Sequence, residues 1–192
     1  MTGYPTFEYP RANLESMAVD PRSDTSVPAL DDPREVERQA AVDELGIVDT
    51  VAENRFDVIV RLARHMYGAE SAAFTVLDRD RVWHKSKAGT DVSEAPRTVS
   101  FCSIAIKGEG SMVIPDTRSD DRFVDNPAVV DDPGVRFYAG SPVYAPNGQP
   151  LGTLCVWDSK PRSDSTFDDT AIKQLAHAIE LELRVKPFGR DE

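Results

Sequence analysis

The chain has 192 residues and a formal net charge of −11, from 22 Lys and Arg against 33 Asp and Glu, and 40% of its residues are hydrophobic. That length suits one full domain with a core of its own plus a spare segment. The acidity counts against a nucleic-acid backbone or an anionic membrane as main partner, because both would repel it, and two cysteines exclude a disulfide framework and a four-thiolate zinc site.

Residues 1–32 carry six acidic and two basic side chains, with Pro5, Pro10, Pro21 and Pro28 spread among them. Low hydrophobicity with scattered proline predicts a disordered acidic tail. Within it, Tyr4, Phe7 and Tyr9 offer a short docking motif as the alternative to a plain leader. The basic start and apolar run of a secretory signal are missing. No stretch reaches the roughly 18 apolar residues of a membrane span. A cytoplasmic protein with reduced thiols is therefore expected.

Pro33 to about Gly46 reads as a helix, with Asp32 as cap, a thin stripe of Val36, Ala40 and Leu45, and Gly46 as stop. Thr50 and Glu53 have capping-box spacing ahead of a second helix. Phe56, Ile59, Val60, Ala63 and Tyr67 fall on one face of that helix, and Gly68 ends it. The β-branched run 71–77, the turn Asp78-Arg79-Asp80 and the alternation from Val82 to Ser86 form a hairpin. Residues 88–98 are loop-like. Ser100 can cap a short helix from Phe101 to Ile106, and Met112-Val113-Ile114 is a strand ended by Pro115.

Asp116 to Gly134, rich in Asp and Pro, is a long, partly helical connection of the kind that carries function over a sheet. Asn147-Gly148 between two apolar runs predicts a hairpin over 136–158 with a two-residue loop. Gly140 then faces Cys155, and Tyr144 faces Leu151. Tyr138, Leu151, Thr153, Cys155 and Trp157 fall on one sheet face; Phe137, Ala139, Val143, Leu154 and Val156 fall on the other. Pro142 implies a bulge or an edge. Thr166 caps a last helix, over 167–185, with Ile172, Leu175, Ala176, Ile179 and Leu183 facing inward and Pro187 as stop. This order is α+β: a central antiparallel sheet with the N- and C-terminal helices packed on it. The chain divides into the tail 1–32, one domain over 33–187 and a short tail 188–192.

Over residues 40–186 the sequence resembles the GAF domains of bacterial sensor proteins. The matching stretches are Leu45 to Thr50, Arg55-Phe56-Asp57, Thr98 to Cys102 with Ala105-Ile106, and Ile114-Pro115-Asp116. They continue with Asp121-Arg122-Phe123, Asn126-Pro127, Arg136 to Gly140, and Leu151 to Val156. No piece is specific alone; their order and spacing are. The resemblance implies a sheet with helices on one face and a loop- and helix-covered small-molecule pocket on the other. Only Pro187 to Glu192 follow the domain, so the output partner is expected on another chain.

The three histidines are far apart in sequence, and no metal site is expected. His65 and His177 lie off the apolar faces of their helices, whereas His84 sits in a strand beside Trp83 and is the one histidine worth placing near a pocket. Haem, bilin and cyclic-nucleotide relatives carry marks absent here; Asn126 is followed by proline rather than lysine. No cofactor is named. The free methionine-(R)-sulfoxide reductase of this family needs a catalytic cysteine in the middle loop, and residues 116–134 contain none. Enzymatic activity is therefore not expected.

Trp83, Phe101, Phe123, Phe137 and Tyr138 are the apolar candidates for lining the pocket, with Cys102 beside them. Asp116, Arg122, Asn126 and Arg136 are the candidates for directed polar contacts. Cys102 and Cys155 are small buried hydrophobes on the plain reading and a redox pair on the sharper one. The leading expectation is a sensory or regulatory protein that binds a small molecule or a partner under residues 98–138. It would dimerise through helices 33–46 and 167–185. A thiol redox sensor and a ligand-free interaction module are the alternatives.

Overall fold

The computed structural model describes residues 28–163 and 167–185. The expectations for Tyr4, Phe7 and Tyr9, for the Thr166 cap and for the Pro187 stop lie outside these residues. Among the described residues six strands form one sheet in the order β3-β2-β1-β6-β5-β4, every neighbouring pair antiparallel. The strands are β1 (Ser71–Asp78), β2 (Arg81–Ala88), β3 (Glu94–Pro96), β4 (Met112–Ile114), β5 (Phe137–Tyr144) and β6 (Pro150–Asp158). The strand β3, inside a stretch read as loop, is too short to show a period. Helices α1 (Pro33–Leu45), α2 (Asn54–Met66) and α5 (Thr170–Leu183) contribute to the core on one face. On the other lie α3 (Cys102–Ala105) and α4 (Pro127–Val130) within the 97–135 cover. No helix among the described residues is long and apolar enough to cross a membrane.

The helix-side core is built from Phe56, Val60 and Ala63 of α2, Ile172, Ala176 and Ile179 of α5, and alternate residues of the sheet. The inward face read from the period of α2 is thus correct, but its start is not. Thr50 bonds back to the Ile47 carbonyl at 2.6 Å, and α2 begins after Glu53 with no side-chain cap. Helix α1 has the expected ends, Asp32 accepting from the Arg34 amide and Gly46 closing at φ 63°. Its inward face is not the expected one. Val36 is exposed, and the charged Glu35 and Arg38 are buried together with Ala41 and Val42.

The β5–β6 hairpin corrects the sequence in one step. Ala145 donates to Gln149 and Gly148 to Ala145, so the loop has three residues, with Gly148 at φ 87°. That conformation is open to glycine and is the usual bulge that follows a tight turn. The pairing Tyr144–Pro150 is therefore one residue out of the expected register. Leu151 is left unpaired as a second bulge, Val143 meets Gly152, and Gly140 faces Cys155 as expected. The bulge sends Leu151 into the helix-side core rather than onto the Tyr138 face. Pro142 is tolerated because β4 pairs only with Tyr138 to Gly140, so β5 is an edge at that point.

Candidate functional site

Between the sheet and the cover lies a cavity of about 30 Å³. Its floor comes from Thr75 of β1, His84 of β2, Tyr138 of β5, and Cys155 and Trp157 of β6; Ser100 to Cys102 roof it. A space that size holds one or two water molecules. A larger hollow of about 310 Å³ lies on the helix side, beside Tyr67, Phe137 and Phe167.

The roof is held by local hydrogen bonds. Ser100 Oγ accepts the Cys102 amide at 3.2 Å, which starts the short α3, and Ser103 Oγ donates to the Arg97 carbonyl at 2.7 Å. Phe101 stacks on Phe123 with ring centres 4.4 Å apart and on Tyr138 at 5.0 Å. Asn126 caps α4 through the Ala128 amide at 2.9 Å and donates to the Val99 carbonyl at 3.0 Å, tying the long connection to the roof.

Of the sequence-selected residues, Phe101, Cys102 and Tyr138 meet at the cavity, with Phe123 behind Phe101. Trp83 and Phe137 do not. Both belong to the helix-side core, because strand alternation turns them away from His84 and Tyr138. The four polar candidates hold the cover together instead of lining the cavity. Asp116 pairs with Arg136 at 2.9 Å, Arg122 pairs with Asp120 at 2.6 Å, and Asn126 acts as above. His84, the one histidine the sequence put near a pocket, does line it, and Thr75, Val82, Ala95, Ser100, Val135 and Trp157 line it without having been selected. The Gly140–Cys155 register already put Trp157 on the Tyr138 face, and that was the available signal for it.

The electrostatics of the cavity are simple. Burial lowers the His84 pKa to about 4, so its ring is neutral at neutral pH, and Nδ1 donates to the Val92 carbonyl at 3.0 Å. Among the described residues no Lys or Arg lines the cavity. Cys102 Sγ lies 4.0 Å from Cys155 Sγ and receives the Thr153 hydroxyl at 3.1 Å and the Tyr138 hydroxyl at 3.5 Å. Hydrogen bonds from Cys155 first, then from the Thr153 and Tyr138 hydroxyls, hold Cys102 below an ordinary thiol, against its burial. The Cys155 thiol is pushed up by its Cys102 neighbour and by burial. A Cβ at Gly140 would sit 2.3 Å from the Tyr138 hydroxyl, so glycine there leaves the space from which Tyr138 reaches Cys102.

The roof is also tied to the N-terminal helix. Arg97, five residues before Cys102, donates twice to Glu35 of α1, once at 2.9 Å, and to the Arg79 carbonyl at 3.0 Å. Arg38 binds the same carboxylate at 2.7 Å and the Leu77 carbonyl at 2.8 Å. All three side chains are buried. This ion triad wraps the turn between β1 and β2 and joins the two faces of the sheet.

The GAF domain family profile matches residues 52–183. A cyclic di-GMP phosphodiesterase of Pseudomonas aeruginosa is 39% identical over 144 residues, which are 75% of this chain and 24% of that protein. The chain thus spans about a quarter of that relative's length. Among solved structures, the GAF domain of an Acinetobacter phosphoenolpyruvate-protein phosphotransferase superposes with a TM-score of 0.54 at 13% identity, over 78% of this chain and 92% of that one. A type II free methionine-R-sulfoxide reductase of Thermoplasma acidophilum gives a TM-score of 0.54 at 16% identity, over 79% and 96%. The expectation of a protein without enzymatic activity is corrected by these findings: the curated relative is named an enzyme, and an enzyme shares the fold. A missing sequence motif was weak ground for it, because function sits in sites grafted onto a fold.

Proposed function

Since this chain belongs to the GAF domain family, we propose that it takes its input in the cavity beneath residues 98–138 and passes it to an output through α1 and the other helices. The family makes it a sensory and regulatory module. One observation carries the finer reading: the segment that roofs the cavity at Ser100 to Cys102 is the segment that α1 grips through Arg97 and Glu35. A ligand that lifts or lowers the roof therefore acts on α1. A change of state needs such a differential contact. The output class suggested by the relative's name is an enzyme of cyclic di-GMP turnover.

The ligand is small and uncharged. A cavity of about 30 Å³ must open to take anything beyond a water or two, and the Phe101 stack is the part that moves. With no cation in the lining and an electron-rich Cys102 sulfur, the cavity does not suit cyclic di-GMP itself. Trp157 lines the cavity and reports on it once Trp83 is replaced by phenylalanine. Titration with a panel of uncharged metabolite-sized molecules is expected to change Trp157 emission saturably for at least one, and cyclic di-GMP to change nothing. A flat response to the whole panel, or saturation with cyclic di-GMP, overturns this assignment.

We infer a dimer surface on α2 and the end of α5, where the sequence had suggested helices 33–46 and 167–185. Val58, Leu62 and Met66 are 48%, 43% and 53% exposed and repeat every fourth residue along α2. Leu181 and Val185, in and just past α5, are exposed too. Such a stripe is costly to leave wet and fits a second copy of the chain. Leu62→Glu is expected to convert a dimer to a monomer in light scattering; a monomeric wild type, or a variant that stays dimeric, counts against the proposal.

A further inference from the structure

We propose that Cys102 and Cys155 are a reversible redox pair, oxidised to a disulfide by a small hydroperoxide that enters the cavity. This deepens the reading of the cavity as an input site and rests on that reading only for the output step. The two sulfurs stand 4.0 Å apart, both line the same cavity, and both are buried. Their surroundings differ in a way that assigns their roles. Cys102 receives two hydroxyl donors, Thr153 and Tyr138, which favour its thiolate and make it the attacking sulfur. Cys155 keeps its proton, as a resolving thiol does, and that one proton is shared between Cys102 Sγ at 4.0 Å and the Ala73 carbonyl at 3.6 Å.

The chemistry closes with hydrogen peroxide as the oxidant. The Cys102 thiolate attacks one peroxide oxygen; an S–O bond forms, the O–O bond breaks, and the departing hydroxide takes up the proton Cys102 released. Cys102 is then a sulfenic acid. Cys155 attacks that sulfur; the S–S bond forms, the S–O bond breaks, and hydroxide leaves with the Cys155 proton. Two thiols and one peroxide become one disulfide and two waters. A dithiol reductant reverses the state by exchange.

Size sets the specificity. With the Phe101 stack closed, a cavity of about 30 Å³ admits hydrogen peroxide and excludes glutathione disulfide or an aromatic hydroperoxide. Geometry sets the consequence. A disulfide is about 2.05 Å long, so the sulfurs must approach by about 2 Å. Cys155 is locked in mid-sheet between Ala73 and Gly140, so the movement falls on the four-residue α3. That helix is bonded through Ser103 to Arg97, and Arg97 to Glu35 of α1.

The test uses the full chain, reduced and then treated with equimolar hydrogen peroxide, alkylated and digested for mass spectrometry. The expected result is loss of both free thiols and a Cys102–Cys155 cross-linked peptide that dithiothreitol removes. Cys155→Ser, or Cys155→Ala if the serine disturbs folding, is expected to hold Cys102 as a sulfenic acid that dimedone labels when the peroxide-treated protein is unfolded into it, since folded protein shuts out a reagent of that size; Cys102→Ser leaves Cys155 unmodified. Glutathione disulfide and cumene hydroperoxide are expected to leave wild type reduced over the same time. Two fully alkylated thiols after peroxide, or a Cys155 variant without a dimedone adduct, overturn the proposal while leaving the ligand reading intact. A disulfide that forms without changing hydrogen exchange in α1 keeps the redox pair and overturns only the proposed output route.

Discussion

Glu35→Ala is expected to remove about 3–5 kcal/mol of folding stability, the usual loss when one partner of a buried ion pair is deleted. The size follows from what stays behind. Arg38 and Arg97 remain buried, and each loses its carboxylate; Arg97 is among the largest fully buried side chains. Chemical unfolding followed by circular dichroism measures the loss, and a change under about 1 kcal/mol would show that the triad relaxes into solvent. The same carboxylate carries a pH signature. Burial alone would raise its pKa, yet Arg97 and Arg38 bring it from 4.5 down to about 2. The folded value lies below the unfolded one, so the contribution is complete above about pH 4.5 and is lost as the pH falls through about 2. Glu35→Gln should lower stability at pH 7 and flatten that acid limb; an unchanged limb rules Glu35 out as its source.

Phe101→Ala is the second large effect, again about 3–5 kcal/mol, because a buried aromatic ring is cut out of a packed stack. Phe101 touches both Phe123 and Tyr138, so no neighbour can fill the gap without leaving its own partner. The loss of stability should come with a gain of access. The variant is expected to let cumene hydroperoxide oxidise Cys102 and Cys155, and to shift Trp157 emission toward that of a wetter indole. Both readouts are taken under conditions where circular dichroism shows the variant folded. A destabilised variant whose thiols still resist the bulky oxidant would mean that Phe101 packs the roof without gating the cavity.

The residues behind these two predictions differ in how readable they were. Phe101 and Tyr138 were selected from the sequence because aromatic residues over a sheet face tend to line it, and the Gly140–Cys155 pairing placed Tyr138, Cys155 and Trp157 together. Glu35 was invisible. A helical wheel of α1 favours Val36 and Ala40, and nothing local says that a carboxylate will turn inward. It does so because Arg97, distant in the sequence, is waiting for it, and the pair satisfies a charge that apolar burial could not. Leu151 failed in the opposite way: alternation placed it correctly for a two-residue loop, and an extra residue in the turn moved it across the sheet.

Asp116, Arg122, Asn126 and Arg136 show a further limit. Their types and positions suit a ligand, but each finds a protein partner close by, and a charged group already paired has little reason to bind anything else. Composition counted against polyanionic partners, and local spacing set the strands and helices, with α2, the β1–β2 hairpin and the Gly140–Cys155 register all readable from period and turn chemistry. Those features depend on neighbours in the chain. The 4.0 Å approach of Cys102 to Cys155, the neutral His84 at the cavity wall and the triad that joins α1 to the roof depend on contacts between distant segments. Only the folded chain decides those, because burial and pairing energies arise when the two faces of the sheet are closed.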